Sequence, residues 1–131
     1  LYEGFLIVND AYELVEFCDG VHVGQEDLRK IDLDISKAVK TLRNIVTQDK
    51  ILGISTHNED EVLIANELDI NYIGLGAYRD TSTKKDITTV LGKELDTIAS
   101  KSKHLVAAIG GVKLNDRFKN VTYSVIGSGL L

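Results

Sequence analysis

The chain has 131 residues, 44% of them hydrophobic and 27% charged, with a formal net charge of −5. That length suits one compact domain with a single core, and no apolar run approaches the roughly 20 residues of a membrane-spanning helix. The 15 Lys and Arg residues are scattered rather than striped, which argues against nucleic acid as the main partner but leaves room for a small anionic ligand.

Cys18 is the only cysteine. No internal disulfide can form, so a small buried thiol in a reducing, cytoplasmic compartment is expected. Along the chain, short apolar runs alternate with helical patterns. Phe5–Val8 reads as the first strand, followed by a helical turn over Ala11–Cys18 and a second strand over Gly20–Val23. Ile35–Gln48 reads as an amphipathic helix, with Ile35, Ala38, Val39, Leu42, Ile45 and Val46 on one stripe. A strand at Ile51–Ile54 precedes a helix over Glu59–Leu68, capped by Asn58 and backed by Glu61 three residues on. Asn71–Leu75, a helix over Thr88–Ser102, Leu105–Ile109, a short helix over Leu114–Lys119 and a strand at Tyr123–Ile126 complete the series.

Strands that are apolar almost throughout belong to a parallel sheet covered on both faces, and the alternation with helices makes the fold α/β. An open doubly wound sheet gathers its site at one switch point, whereas a barrel collects groups from the end of nearly every strand. Here polar or glycine-rich residues follow every strand, which favours a (β/α)8 TIM barrel. Six strands are legible where a complete barrel has eight, so 1–131 is expected to be a single barrel domain that is N-terminally incomplete. The absence of methionine and the start at Leu1 agree with that expectation. Open edges at Phe5–Val8 and Tyr123–Ile126 would then be covered by further residues or by a partner, a homo-oligomer included.

The chemistry-bearing residues follow the strands. Asn9–Asp10 and Gln25–Glu26–Asp27 could turn carboxylates toward a shared Mg²⁺ or simply cap the helices that follow. Thr81–Ser82–Thr83–Lys84 offers hydroxyls and an ammonium to a phosphate, or is a solvated loop. Gly110–Gly111 and Ser128–Gly129 can bring backbone amides close to an anion, like the phosphate site that barrels place after strands seven and eight. His57, beside Ser55, is a candidate acid–base group or phosphate donor. His22, inside a strand, reads as a packed or hydrogen-bonded histidine. His104 is given no role.

Taken together, Leu6–Asp10, Asp19–Asp27, Leu52–His57, Tyr72–Gly76, Thr81–Lys84 and Ile109–Val112 resemble the thiamine phosphate synthase and thiazole tautomerase superfamily, in order and over essentially the whole chain. The resemblance implies a transferase of thiamine biosynthesis that joins a hydroxymethylpyrimidine diphosphate to a thiazole phosphate and releases pyrophosphate. It implies Mg²⁺ at Asp10 and Asp27, the pyrophosphate at Asn9 and Lys84, and Ser55 near the reacting centre. It also implies the thiazole phosphate at Thr81, Thr83 and the amides around Gly111 and Ser128. The chain would thus represent strands 3 to 8, without the family's Gln-x-Arg-x-Lys strand. The related alternatives are a tautomerase-type isomerase, with His57 as its acid–base group, and a non-catalytic phosphate-ligand-binding homologue. In one departure from the family, Gly76–Ala77–Tyr78–Arg79–Asp80 lacks two prolines, which is expected to loosen the phosphate loop. Arg79 is then the counter-charge available to Asp80.

Overall fold

The computed structural model describes residues 6–79 and 90–126. Its strands are β1 (Ile7–Asn9), β2 (Gly20–Val23), β3 (Ile51–Thr56), β4 (Tyr72–Leu75), β5 (Leu105–Ala108) and β6 (Tyr123–Ser124). All are parallel and pair in chain order, β1-β2-β3-β4-β5-β6. The helices are α1 (Gln25–Ile31), α2 (Ile35–Ile45), α3 (Glu59–Ala65) and α4 (Glu94–Ala99), with a 3-10 turn at Tyr12–Phe17. A six-stranded parallel α/β half-barrel results.

The strands sort their side chains by alternation. Val21 and Val23, Leu52 and Ile54, Ile73 and Leu75, and Val106 and Ala108 are all buried in one hydrophobic core. From the helices Leu28, Ala38, Val39, Leu42, Val62, Ala65, Leu95 and Ala99 join the same core. The opposite face of the sheet carries Gly20, His22, Gly53, Ser55, Tyr72, Gly74 and Ala107 beside Ile51 and Leu105, so small and polar residues take much of the space that bulky branched side chains fill in most barrel interiors.

Several elements differ from the sequence expectation. Helix α1 lies where the sequence pattern assigns no helix, yet it is well made for its place. Glu26 and Asp27 lie in its first turn and Arg29 and Lys30 in its last, each charge favourable to the helix dipole. Helix α2 begins under Asp34, whose carboxylate accepts the Ser36 and Lys37 amides, and ends at Ile45 rather than Gln48. The buried Arg43 guanidinium causes the early stop, because it donates to the Thr47 and Lys50 carbonyls and gathers the chain into a turn. Helix α3 starts at the expected Asn58 cap but stops before Asn66, which bonds Lys101 O and Lys103 N across the next crossover.

No helix forms over Leu114–Lys119. There Asp116 turns back to accept the Lys113 amide and pair with Arg79, while the Lys119 and Asn120 amides go to the Asp96 carboxylate. Side-chain partners thereby replace the helical ladder. Cys18 is buried as expected, its thiol 3.2 Å from Gly20 O.

Leu42 is 0% exposed at the centre of the helix–sheet layer, whereas Leu33 is 87% exposed. Leu42→Ala is expected to lower unfolding free energy by about 2–5 kcal/mol. Leu33→Ala should stay within about 0.5 kcal/mol of the parent. Urea unfolding midpoints of both variants check this.

Candidate active site

Register builds the site. Cα partners His22, Gly53 and Tyr72 stand in one row across β2, β3 and β4, and Ser55 pairs with Gly74 in the row above. With no side chain at Gly53, the Tyr72 ring lies over β3. A Cβ built there would sit 2.1 Å from two ring carbons. The ring's hydroxyl meets His22 Nδ1 at 2.7 Å, and His22 Nε2 meets Ser55 Oγ at 2.8 Å. Gly74 provides the corresponding space above His22, whose Cε1 would lie 3.1 Å from a Cβ at that position. The outcome is a chain of three polar side chains, Tyr72–His22–Ser55, on the inner face of the sheet.

Burial governs the protonation of this chain. It lowers the His22 pKa below its ordinary 6.5, an effect partly opposed by the charge of Asp10. It pushes the Tyr72 phenol up to about 12. The imidazole is therefore neutral and the phenol protonated near neutral pH.

At the C-terminal ends of β1 and β2 the carboxylates take different places. Asp10 adopts a left-handed backbone, φ 63°, which Asp tolerates. Its amide donates to His22 O at 2.7 Å, and its Oδ1 accepts the Gly24 amide at 3.1 Å. It does not cap the turn that follows, since Ala11 occupies that position without a side-chain bond. Asp10 instead reaches across to the β2–α1 connection, where Asp27 lies one turn into α1 with Lys30 Nζ 3.4 Å away. Asn9 ends β1 as the register partner of His22. Gln25 bonds Ser55 O through its side-chain amide at 2.7 Å, tying this corner to β3.

His57 is also at the end of β3, but its Nδ1 is 2.9 Å from Glu61 Oε1, which accepts the His57 amide as well. That hydrogen bond is the main cause of the lowered Glu61 pKa. His57 thus closes the start of α3, with its side chain 53% exposed, whereas His22 is the histidine that touches Ser55. His104 bonds Ala65 O.

At the other side, Gly110 and Gly111 both have left-handed φ, 85° and 73°. The Gly110 carbonyl accepts the Tyr78 and Arg79 amides, and a Cβ on Gly110 would lie 2.7 Å from Ala77. The amides of both glycines have no backbone acceptor among the described residues. Thr81, Thr83, Lys84 and Ser128 lie outside the described residues. Arg79 makes a forked pair with Asp116, both N–O distances 3.0 Å, and stacks 5.0 Å from the Tyr78 ring centre. The arginine read as a counter-charge for Asp80 is therefore engaged elsewhere.

A family model described as thiamine monophosphate synthase matches residues 2–127. The chain belongs to the thiamine monophosphate synthase family. It is 40% identical over 117 residues to a thiamine-phosphate synthase of Clostridium botulinum, covering 88% of this chain and 50% of that relative. With a thiamine-phosphate synthase of Methanobrevibacter smithii the identity is 41% over 109 residues, 82% of this chain and 48% of the relative. The solved thiamine phosphate pyrophosphorylase of Pyrococcus furiosus superposes with a TM-score of 0.65 at 25% identity, over 84% of this chain and 48% of that one. The chain thus spans about half the length of the curated relatives it matches.

The structure places Asp10, Ser55 and the glycine pair at strand ends and Asp27 in the first turn of α1, and it joins His22 to Tyr72, a partnership the sequence reading did not foresee. The available signal was a period-two row: His22 alternates with Val21 and Val23, and Tyr72 with Ile73, while a single glycine, Gly53, stands in the intervening strand.

Two outcomes follow. Gly53→Ala should cost about 1–3 kcal/mol of stability, because an added carbon inside a packed site forces neighbours to move. It should also displace the Tyr72 hydroxyl from His22, a change readable by urea unfolding and a crystal structure of the variant. His22 binds a proton less readily folded than unfolded, so its contribution is present above about pH 6.5 and lost as pH falls through its depressed folded value. Stability measured across that acid window should slope less steeply in His22→Gln.

Proposed function

We propose that the full-length protein is a thiamine-phosphate synthase, a transferase that joins hydroxymethylpyrimidine diphosphate to thiazole phosphate with release of pyrophosphate. In this reading residues 1–131 contribute strands 3 to 8 of one (β/α)8 barrel domain. The observation that carries the proposal is the family match over residues 2–127, which takes in every strand end of the inner polar face. The names of the relatives favour the synthase over the tautomerase-type isomerase.

The donor set at the β1 and β2 ends fits Mg²⁺. Asp10, just past β1, and Asp27, in the first turn of the helix that follows β2, offer hard carboxylate oxygens, and Asp10 turns toward the connection that leads to Asp27. Among the described residues no group of three or more His, Cys, Asp or Glu forms a closed cage. Mg²⁺ is commonly held by one or two carboxylates with its other oxygens from water and phosphates. When bound there it would neutralise charge on the diphosphate oxygens. Asn9 and Lys84 complete the grip on that group, and Lys84 stabilises negative charge as the leaving group departs.

Ser55 presents its hydroxyl from the barrel interior, anchored by His22 and beside the Gln25 bond to its own carbonyl. It orients the pyrimidine at the reacting carbon. Thr81 and Thr83 contact the thiazole phosphate, with the amides around Gly111 and Ser128 on its other side. Small phosphorylated molecules are the partners in this scheme.

The test is a direct assay of the full-length protein with both substrates and Mg²⁺, following thiamine phosphate and pyrophosphate together. Equal formation of the two is expected. Asp10→Ala should lower turnover by about 10²-fold or more, the scale of several kcal/mol of lost charge stabilisation. Product formation unaffected by Asp10→Ala, or no product from the parent under conditions where a known synthase works, would sink the proposal.

A further inference from the structure

We propose that Arg79 is a positioning residue for a bound phosphate group. With the Tyr78 amide it holds three consecutive carbonyls, and so turns the amides of Gly110, Gly111 and Val112 together toward the anion. The identity of that anion, the thiazole phosphate, rests on the synthase reading above, whereas the direction of the amides does not.

Three successive peptide groups are held from the same side. Ile109 O accepts the Tyr78 amide at 3.0 Å, Gly110 O accepts the Tyr78 and Arg79 amides at 3.0 and 2.9 Å, and Gly111 O accepts Arg79 Nη1 at 2.5 Å. In a planar trans peptide the N–H points opposite to the C=O. With the three carbonyls facing Tyr78 and Arg79, the N–H groups of Gly110, Gly111 and Val112 face the other way. None of the three has a backbone acceptor among the described residues, although Val112 is only 1% exposed. Successive N–H groups on one side of a turn make an anion-binding concavity. The left-handed φ of both glycines lets the chain make this turn without steric cost. The next amide, that of Lys113, is withdrawn from the set by Asp116 Oδ2 at 2.7 Å.

Arg79 is arranged for holding rather than for touching the anion. Its Nη1 serves both Gly111 O and Asp116 Oδ2, its Nη2 serves Asp116 Oδ1, and its guanidinium stacks on the Tyr78 ring. Asp116 is ionised at neutral pH, its pKa lowered chiefly by the Arg79 hydrogen bond. The carboxylate therefore offsets the charge of Arg79 locally, and what reaches the anion is the direction of the peptide dipoles. Only a planar fork can grip a carbonyl and both carboxylate oxygens at once, which is the part of arginine that lysine lacks.

The experiment titrates inorganic phosphate into the ¹⁵N-labelled full-length protein at constant ionic strength, with chloride as the reference. The amide resonances of Gly110, Gly111 and Val112 are expected to move together along one saturating curve. In Arg79→Met that curve should need about three- to tenfold more phosphate, the scale of one net hydrogen bond. Amides that stay fixed in the parent overturn the proposal, and this arm needs no variant. A variant that binds phosphate as tightly as the parent overturns it too.

Asp116→Asn sets orientation against charge. It removes a negative charge beside the turn, so simple attraction would tighten phosphate binding. It also places an amide N–H₂ group against the Arg79 fork, so orientation requires binding weaker by about three- to tenfold. Equal or tighter binding refutes positioning by Arg79.

In the synthase assay Arg79→Met should raise KM for thiazole phosphate by that factor, with kcat and the KM for the pyrimidine diphosphate within about twofold of the parent. Equal losses toward both substrates would make Arg79 a structural residue only, and the proposal would fall. Absence of thiamine phosphate from every form would remove the synthase reading, while the phosphate titration still decided how the three amides are used.

Discussion

Side chains on a β-strand alternate between two faces, and in a parallel sheet with helices on one side this alternation assigns each residue either to the helix-packed core or to the barrel interior. Everything else in the molecule depends on that assignment holding in register from β1 to β6. The core face is apolar from Val21 and Val23 through Leu52, Ile54, Ile73 and Leu75 to Val106 and Ala108, with Thr56 the exception, its hydroxyl bonded to Gly74 O, and a slip of one residue in any strand would bury the polar row among the helices. The register is thus fixed by the hydrophobic face, while the inner face is left to chemistry.

That freedom lets the inner face place glycine, serine, histidine and tyrosine at the centre of the sheet. Gly53 lacks the side chain that would block a hydroxyl on β4 from reaching an imidazole on β2. The 2.7 and 2.8 Å bonds of His22 then span three strands without any loop. Because the strands themselves hold these side chains, their positions inherit the rigidity of the sheet. Outside the sheet, Arg43 plays the matching structural part. It is buried and ties the end of α2 to β4 through Asn71 Oδ1, which also accepts the Leu52 amide of β3. The charged group is accommodated because carbonyls and an amide oxygen take most of its donors.

The six strands and the parallel α/β class were legible because near-continuous apolar runs of Val, Ile and Leu are separated by polar strand ends and helical patterns. Helix α1 was not, because its apolar content is small: only Leu28 is buried, and its acids suit a metal ligand or a helix cap equally. The helix expected over Leu114–Lys119 failed for the opposite reason. Its local pattern was adequate, but Asp116 and Asp96 are captured by Arg79 and by backbone amides that are distant in sequence. In the site, strand-end residues announced themselves by position. His22 and Tyr72 did not, since their meeting depends on cross-strand register and on the empty position between them, neither of which one strand's sequence carries.

The segment leading into the phosphate loop shows the same dominance of distant partners over local chemistry. Without its two prolines, Ala77–Arg79 would be expected to move freely, because the unfolded chain keeps more conformations to lose. The structure compensates by tertiary means. The Gly110 carbonyl holds the Tyr78 and Arg79 amides, the Arg79 fork is fixed on Asp116, and the Tyr78 ring meets Phe118 edge-on at 4.9 Å. Ala77 O and Tyr78 O accept the Leu91 and Gly92 amides, so the chain on either side of residues 80–89 is joined by backbone hydrogen bonds. With both ends of that segment anchored, much of the closure entropy that proline would have reduced is already offset by the fold. Arg79 therefore fixes the frame of this corner through Asp116. Beside it the amides of Gly110 and Gly111, in their left-handed turns, have no backbone acceptors among the described residues.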